Sequence, residues 1–149
     1  MIDARMPNKS TDALARVAEK FGLSLIYLFG SQVETGLKLL RGESPEIVDP
    51  LADIDVGVVF KDGLPSPSER PQAYAEIYNE LVDLFAPHPL DLCFLEENHS
   101  VFQSSVFWGA CIYAISDDVR LGYEEMVARR AADFRPVLER YLDEILEGM

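Results

Sequence analysis

Apolar positions along the chain follow two periods, and the switches between them mark out the elements. From Asp12 to Phe21 the residues Leu14, Val17, Ala18 and Phe21 recur at helical spacing. Ser10 or Thr11 stands before this run as an N-cap, and Gly22 after it supplies a left-handed stop. Leu23 to Phe29 is a short apolar run between two glycines, which reads as a strand buried on both faces. Gly30-Ser31 ends that strand abruptly. A short helix is expected within Gln32 to Leu40, whereas Arg41 to Pro50 mixes Gly, Ser, Pro and charges and has the composition of a surface loop.

Asp53 to Phe60 alternates, with Ile54, Val56, Val58 and Phe60 on one face and Asp53, Asp55, Gly57 and Val59 on the other. After a Gly/Pro turn over Lys61 to Pro67, helical spacing returns at Tyr74, Ile77, Tyr78, Leu81 and Leu84, predicting a helix over Ser68 to Phe85. Pro89 to Leu95 alternates again, with Leu90, Leu92 and Phe94 facing one way and Asp91, Cys93 and Leu95 the other. Asn98 to Gly109 reads as a helix capped by Asn98, His99 or Ser100, and Cys111 to Ile115 as a last strand. Ser116 or Asp117 opens a helical region reaching about Leu146, which Pro136 is expected to kink or divide. The order predicts an α+β fold, a mixed sheet of about four strands covered by helices, with a helical C-terminal segment. Its Ile54/Leu90 face should be buried, leaving Asp53, Asp55 and Asp91 in an open cleft.

At 149 residues the chain has the size of one domain. Acids outnumber bases 26 to 13, giving a net charge of −13, while 48% of residues are hydrophobic. That balance is too apolar for a disordered acidic segment, and it disfavours direct binding to nucleic acid or an anionic membrane. A basic protein partner suits it better. No apolar run is long enough to span a bilayer, and Met1 to Ser10 lacks a signal-peptide core, so a cytoplasmic location is expected. Cys93 and Cys111 lie in strand-like stretches and read as buried free thiols, with a disulfide or a metal site as the alternatives. There is no HExxH, GxGxxG or GxxxxGK[ST] pattern.

Candidate chemistry therefore rests on carboxylates. Asp53 and Asp55, two apart on a strand, point the same way and lie about 6.5–7 Å apart along it. Asp91 is a third acid on the minority face of another apolar strand, and if the two strands are neighbours all three converge. Oxygen donors without His or Cys describe a hard-cation site, Mg²⁺ rather than zinc. The plainer alternative is that these aspartates are solvated strand ends. Gly30-Ser31, a turn after a buried strand and before a helix start, presents backbone N–H groups and a hydroxyl to an anion such as a triphosphate.

The segment Tyr27-Leu28-Phe29-Gly30-Ser31-Gln32, followed by Ala52-Asp53-Ile54-Asp55-Val56-Gly57-Val58-Val59, resembles the GS…DxD signature of the DNA polymerase beta-like nucleotidyltransferases. More narrowly, the whole chain is similar to the minimal nucleotidyltransferases (MNT) encoded beside HEPN toxins, with Asp91 in Pro89-Leu90-Asp91-Leu92 as the third carboxylate and a similar ending through Arg129-Arg130-Ala131-Ala132-Asp133-Phe134. The Ser31 to Asp53 spacing exceeds the family's usual one, implying an insertion over residues 37–51 within a single nucleotidyltransferase domain, 1–149. That insertion is expected at the cleft mouth, outside the core. The resemblance implies that Asp53, Asp55 and Asp91 are catalytic and hold Mg²⁺ in a two-metal site. It also implies that Gly30 and Ser31 bind the nucleotide triphosphate.

It further implies an antitoxin that transfers AMP from ATP to a hydroxyl, a tyrosine's, of a HEPN ribonuclease toxin, in a homo- or hetero-oligomer. Two other classes stay open: a non-catalytic antitoxin acting by binding alone, and a nucleotidyltransferase acting on an antibiotic.

Overall fold

A computed structural model of the protein describes residues 8–46, 49 and 51–148. Its elements, in chain order, are α1 (Asn8–Phe21), β1 (Leu23–Phe29), α2 (Val33–Leu40), β2 (Ile54–Phe60), α3 (Arg70–Val82), β3 (Leu90–Phe94), α4 (Ser100–Val106), β4 (Ala110–Ala114) and α5 (Asp117–Glu147). The strands form one mixed sheet ordered β3-β2-β1-β4. β1 runs antiparallel to both β2 and β4, while β2 and β3 are parallel.

β1 is buried on both faces, as its apolar run, interrupted only by Ser24, predicts, because helices cover both sides of the sheet. On one side α1, α2 and α3 deliver Leu14, Val17, Leu37, Leu40, Ile77 and Leu81 onto Ile26, Leu28, Ile54, Val56, Leu90 and Leu92. Leu25, Tyr27, Val59 and Cys111 face the other way and pack with Val106 of α4 and, further out, Tyr123 of α5. The alternation in β2 and β3 thus assigns the faces as expected, with the row Ile54, Val56, Val58 and Phe60 inside the larger core. Both cysteines are free thiols. Among the described residues no helix is long and apolar enough to cross a membrane.

Four expectations need correction. α1 begins at Asn8, before either predicted cap, so Ser10 lies inside its first turn and its hydroxyl donates instead to the Leu40 carbonyl. The proposed insertion over 37–51 is not wholly peripheral: Leu37 and Leu40 are buried in the core, because α2 turns one apolar face onto the sheet. Its described loop residues Gly42, Glu43, Ser44 and Pro45 line a hollow of about 370 Å³ with Asp83, Ala86, Pro87 and His88. Residues 47, 48 and 50 lie outside the described residues. The helix predicted over Asn98 to Gly109 contracts to Ser100–Val106, capped by His99, whose Nδ1 accepts from the Phe102 N–H at 3.1 Å. Finally, Pro136 does not divide α5, which continues to Glu147.

The α4–β4 junction is fixed by Gly109. A Cβ there would fall 2.0 Å from the Leu28 carbonyl oxygen and 3.0 Å from the Phe29 Cα, so only a glycine lets this turn lie against the end of β1. Gly109→Ala is therefore expected to destabilise the fold by about 1–3 kcal/mol, the usual cost of overpacking against atoms that cannot yield. Equilibrium urea unfolding measures it, and an unchanged midpoint contradicts the close packing.

Candidate active site

Strand pairing assembles the acids. Phe29, the last residue of β1, pairs with Asp55, and Asp55 in turn pairs in parallel register with Asp91 of β3. The two aspartates therefore occupy adjacent strands about 4.8 Å apart, at one end of the sheet and on the same side of it. Asp53 precedes β2 at that end. Asp53 and Asp91 are exposed and Asp55 is half-buried, which gives the open cleft expected from the sequence.

Gly30 closes the arrangement from the β1 side. Its φ is +76°, a left-handed conformation that favours glycine, and a Cβ would stand 2.2 Å from the Asp55 Oδ2. The chain then makes one tight helical turn over Gly30–Gln32 and enters α2 at Val33. Ser31 is exposed on that turn, and its hydroxyl accepts a long hydrogen bond of 3.4 Å from the Gln32 side chain. Gly30 and Ser31 thus flank the carboxylates at the mouth of a helix whose first N–H groups lack a side-chain cap. All five sequence-predicted site residues meet at one end of one sheet.

Electrostatics reflect that crowding. Burial, the neighbouring Asp91 charge, a hydrogen bond shared with Asp91 and then the Asp53 charge push the Asp55 carboxyl up to about 6. No Lys or Arg pairs with any of the three acids among the described residues. A divalent cation would relieve this uncompensated charge, and an all-oxygen donor set matches Mg²⁺. The acids are neighbours rather than a finished cage: among the described residues no three His, Cys, Asp or Glu side chains are grouped so as to hold a metal ion. The three-ligand convergence expected from the sequence is present as an adjacency only.

The surroundings include residues that sequence reasoning passed over. His88 is 5% exposed, with its Nδ1 3.4 Å from the carbonyl oxygen of Ala52, the residue before Asp53. Next to it, the Pro89 carbonyl accepts from the Ile54 N–H at 2.8 Å, so the loop entering β3 holds the start of β2. A lone histidine before a proline carries no sequence signal for this. Tyr74 of α3 comes near Asp91, and burial together with that charge holds its hydroxyl above the ordinary value. Phe102 of α4 meets Phe29 edge-on at 5.8 Å, walling the cleft on its apolar side.

The family profile described as polymerase beta, nucleotidyltransferase matches residues 13–118. No curated protein matches the chain. Among solved structures, the chain is similar to one of a tri-AMPylated Shewanella oneidensis HEPN toxin in complex with an MNT antitoxin, at 18% identity and TM-score 0.60, covering 93% of this chain and 97% of that one. A toxin–antitoxin structure with AMP-PNP matches at 20% identity and TM-score 0.58, over 93% and 96% of the two chains. A third, a toxin–antitoxin MntA-HepT structure, matches at 17% identity and TM-score 0.54, over 95% and 97%. At such identities the likeness speaks for a shared fold.

The Asp55 carboxyl gives a stability prediction. Its value rises from 3.8 to about 6 on folding, so the native state binds its proton more tightly than the unfolded chain does, and stability falls as pH climbs through that window. In metal-free buffer Asp55→Asn should raise the melting temperature by a few degrees at about pH 8 and leave it nearly unchanged at about pH 4. Equal shifts at both pH values contradict the charge-crowding account.

Proposed function

This chain belongs to the polymerase beta nucleotidyltransferase family, and from that premise we propose that it is a minimal nucleotidyltransferase antitoxin that transfers AMP from ATP to a tyrosine hydroxyl of a HEPN ribonuclease toxin. The observation that carries the reading is the pairing of Asp55 with Asp91 beside Gly30, an acid pair with no cation to balance it among the described residues. Two of the similar structures, one of an AMPylated toxin with its antitoxin and one with an ATP analogue, support the choice of acceptor class and of nucleotide.

In this reading Asp53, Asp55 and Asp91 hold Mg²⁺, and the backbone N–H groups and hydroxyl at Gly30 and Ser31 hold the triphosphate. Bound there, Mg²⁺ supplies the positive charge that lets an anionic nucleotide approach an acidic protein and steadies the attacking and leaving oxygens. Asp91, exposed at the cleft, takes the proton from the acceptor hydroxyl. The hydroxyl oxygen bonds to the α-phosphorus, the bond from that phosphorus to the bridging oxygen breaks, and pyrophosphate leaves. Phe29 and Phe102 keep water from the apolar side of the cleft. A charge of −13 draws a basic ribonuclease toward the site.

One observation favours a second reading, in which the protein masks its toxin by contact alone: no three metal-binding side chains are grouped into a site among the described residues. Separation distinguishes the two. Toxin treated with this protein, ATP and Mg²⁺ and then freed from it should stay inactive and gain the mass of AMP less one water at each modified hydroxyl. Toxin that is unmodified and active after separation supports masking. Asp53→Asn with Asp55→Asn should lower the transfer rate by at least roughly 10²-fold, the scale of losing preorganised charge stabilisation, without unfolding the chain. Transfer that survives the double substitution removes these aspartates from the mechanism.

A further inference from the structure

Asp53 differs from the other two acids in how it is held. Asp55 and Asp91 lie inside strands and are fixed by ladder pairing, whereas Asp53 stands one residue before β2 begins. Its side-chain direction depends on the two peptide units that flank it, because planar peptides leave only φ and ψ free at each residue. Fixing both units fixes the Cα–Cβ bond of Asp53. One loop does this from both sides. His88 Nδ1 lies 3.4 Å from the Ala52 carbonyl oxygen, in the unit before Asp53, and the Pro89 carbonyl accepts from the Ile54 N–H at 2.8 Å, in the unit after it. A carbonyl oxygen only accepts, so Nδ1 carries the proton in this contact. The Ala52 N–H, which donates to the Asp49 carbonyl at 3.1 Å, belongs to the preceding unit and leaves the Ala52–Asp53 unit to His88.

That loop is itself anchored. The His88 N–H donates to the Phe85 carbonyl at 3.0 Å, and Phe85 and Leu90 on either side of it are both in the core. The imidazole is 5% exposed, and its Nε2 has no hydrogen-bond partner among the described residues. Burying a polar nitrogen without a partner is costly, and an apolar side chain of similar size would fill the place without that cost. What the imidazole supplies, and an apolar group could not, is the bond to Ala52. We propose, on the reading of Asp53 as a ligand of the divalent cation, that His88 is its positioning residue. By holding the Ala52–Asp53 peptide, it aims the Asp53 carboxylate into the cleft beside Asp55, acting through the backbone alone. The geometry prescribes which replacement can stand in. An Asn amide nitrogen is attached to Cγ, as Nδ1 is, and reaches the same carbonyl; a Gln amide nitrogen sits one carbon further out and misses it.

Titration calorimetry of the full chain with AMP-PNP in the presence of MnCl₂ tests this. Asp53→Asn should weaken binding by about tenfold or more, which establishes the ligand reading. His88→Gln should weaken it about tenfold, the usual cost of losing a group that orients a metal ligand, while His88→Asn stays within about threefold of the native protein. His88→Leu should bind as weakly as His88→Gln although its melting temperature is no lower than that of His88→Asn, which separates positioning from stability. Should His88→Gln fail to fold, the comparison of Leu with Asn reads the same difference. Equal affinities for the Asn variant and the Gln or Leu variant overturn the proposal, since a packing role alone treats them alike. If Asp53→Asn binds no more weakly than the native protein, the ligand reading falls and the proposal with it. If Asp53→Asn weakens binding and neither His88→Gln nor His88→Leu does, the ligand reading stands and the positioning role of His88 alone is refuted.

Discussion

The double pairing of β2 is the constraint on which the site depends. One neighbour, β1, runs antiparallel and ends at Phe29 opposite Asp55; the other, β3, runs parallel and sets Asp91 beside Asp55. Shifting either register by a single residue would turn the acids to the opposite face, because side chains alternate along a strand. The shift is prevented by burial, since Ile54, Val56 and Val58 would have to leave the core together. The apolar row on one face thereby locates the carboxylates on the other.

Holding acids in this way has an electrostatic cost, and no Lys or Arg among the described residues pairs with them to offset it. Asp55 is crowded by Asp91 and Asp53 and partly desolvated, which is the condition that raises a carboxyl. Such a cluster is poorly suited to stability and well suited to recruiting a divalent ion with an anionic substrate. Two tight contacts keep it from relaxing: Gly30 against the Asp55 carboxylate and Gly109 against the end of β1. Around them, the loop at His88 and Pro89 pins the start of β2, and the Phe29–Phe102 edge contact closes the apolar wall.

The helices divide the remaining tasks. α1, α2 and α3 seal one face, with the Ser10 hydroxyl on the Leu40 carbonyl tying the start of α1 to the end of α2. A surface ion pair of 2.6 Å between Lys20 and Glu80 joins α1 to α3, in an exposed setting where such a pair contributes at most about 1 kcal/mol. α4 and the first half of α5 seal the other face, and the second half of α5 leaves the domain with its apolar stripe intact. Pro136 sits where that projection begins. The helix tolerates it there because the missing N–H concerns one bond in a helix otherwise hydrogen-bonded along its length.

Much of the architecture was written in local patterns. The switch between periods near two and near 3.6 placed every strand and helix within a few residues, since each element has to present one apolar side to a core. Asp53, Asp55, Asp91, Gly30 and Ser31 were likewise visible as polar or glycine positions that interrupt apolar runs. What the sequence left open depended on contacts between distant segments. Leu37 and Leu40 looked like part of a loop insertion until packing against Leu28 and Ile54 drew their helix into the core. His88 and Gly109 owe their importance to backbone atoms at Ala52 and Leu28, which no local pattern announces. The order β3-β2-β1-β4, which brings Asp55 and Asp91 side by side, follows from the joint burial of both sheet faces, and that is a property of the assembled fold, absent from any single segment.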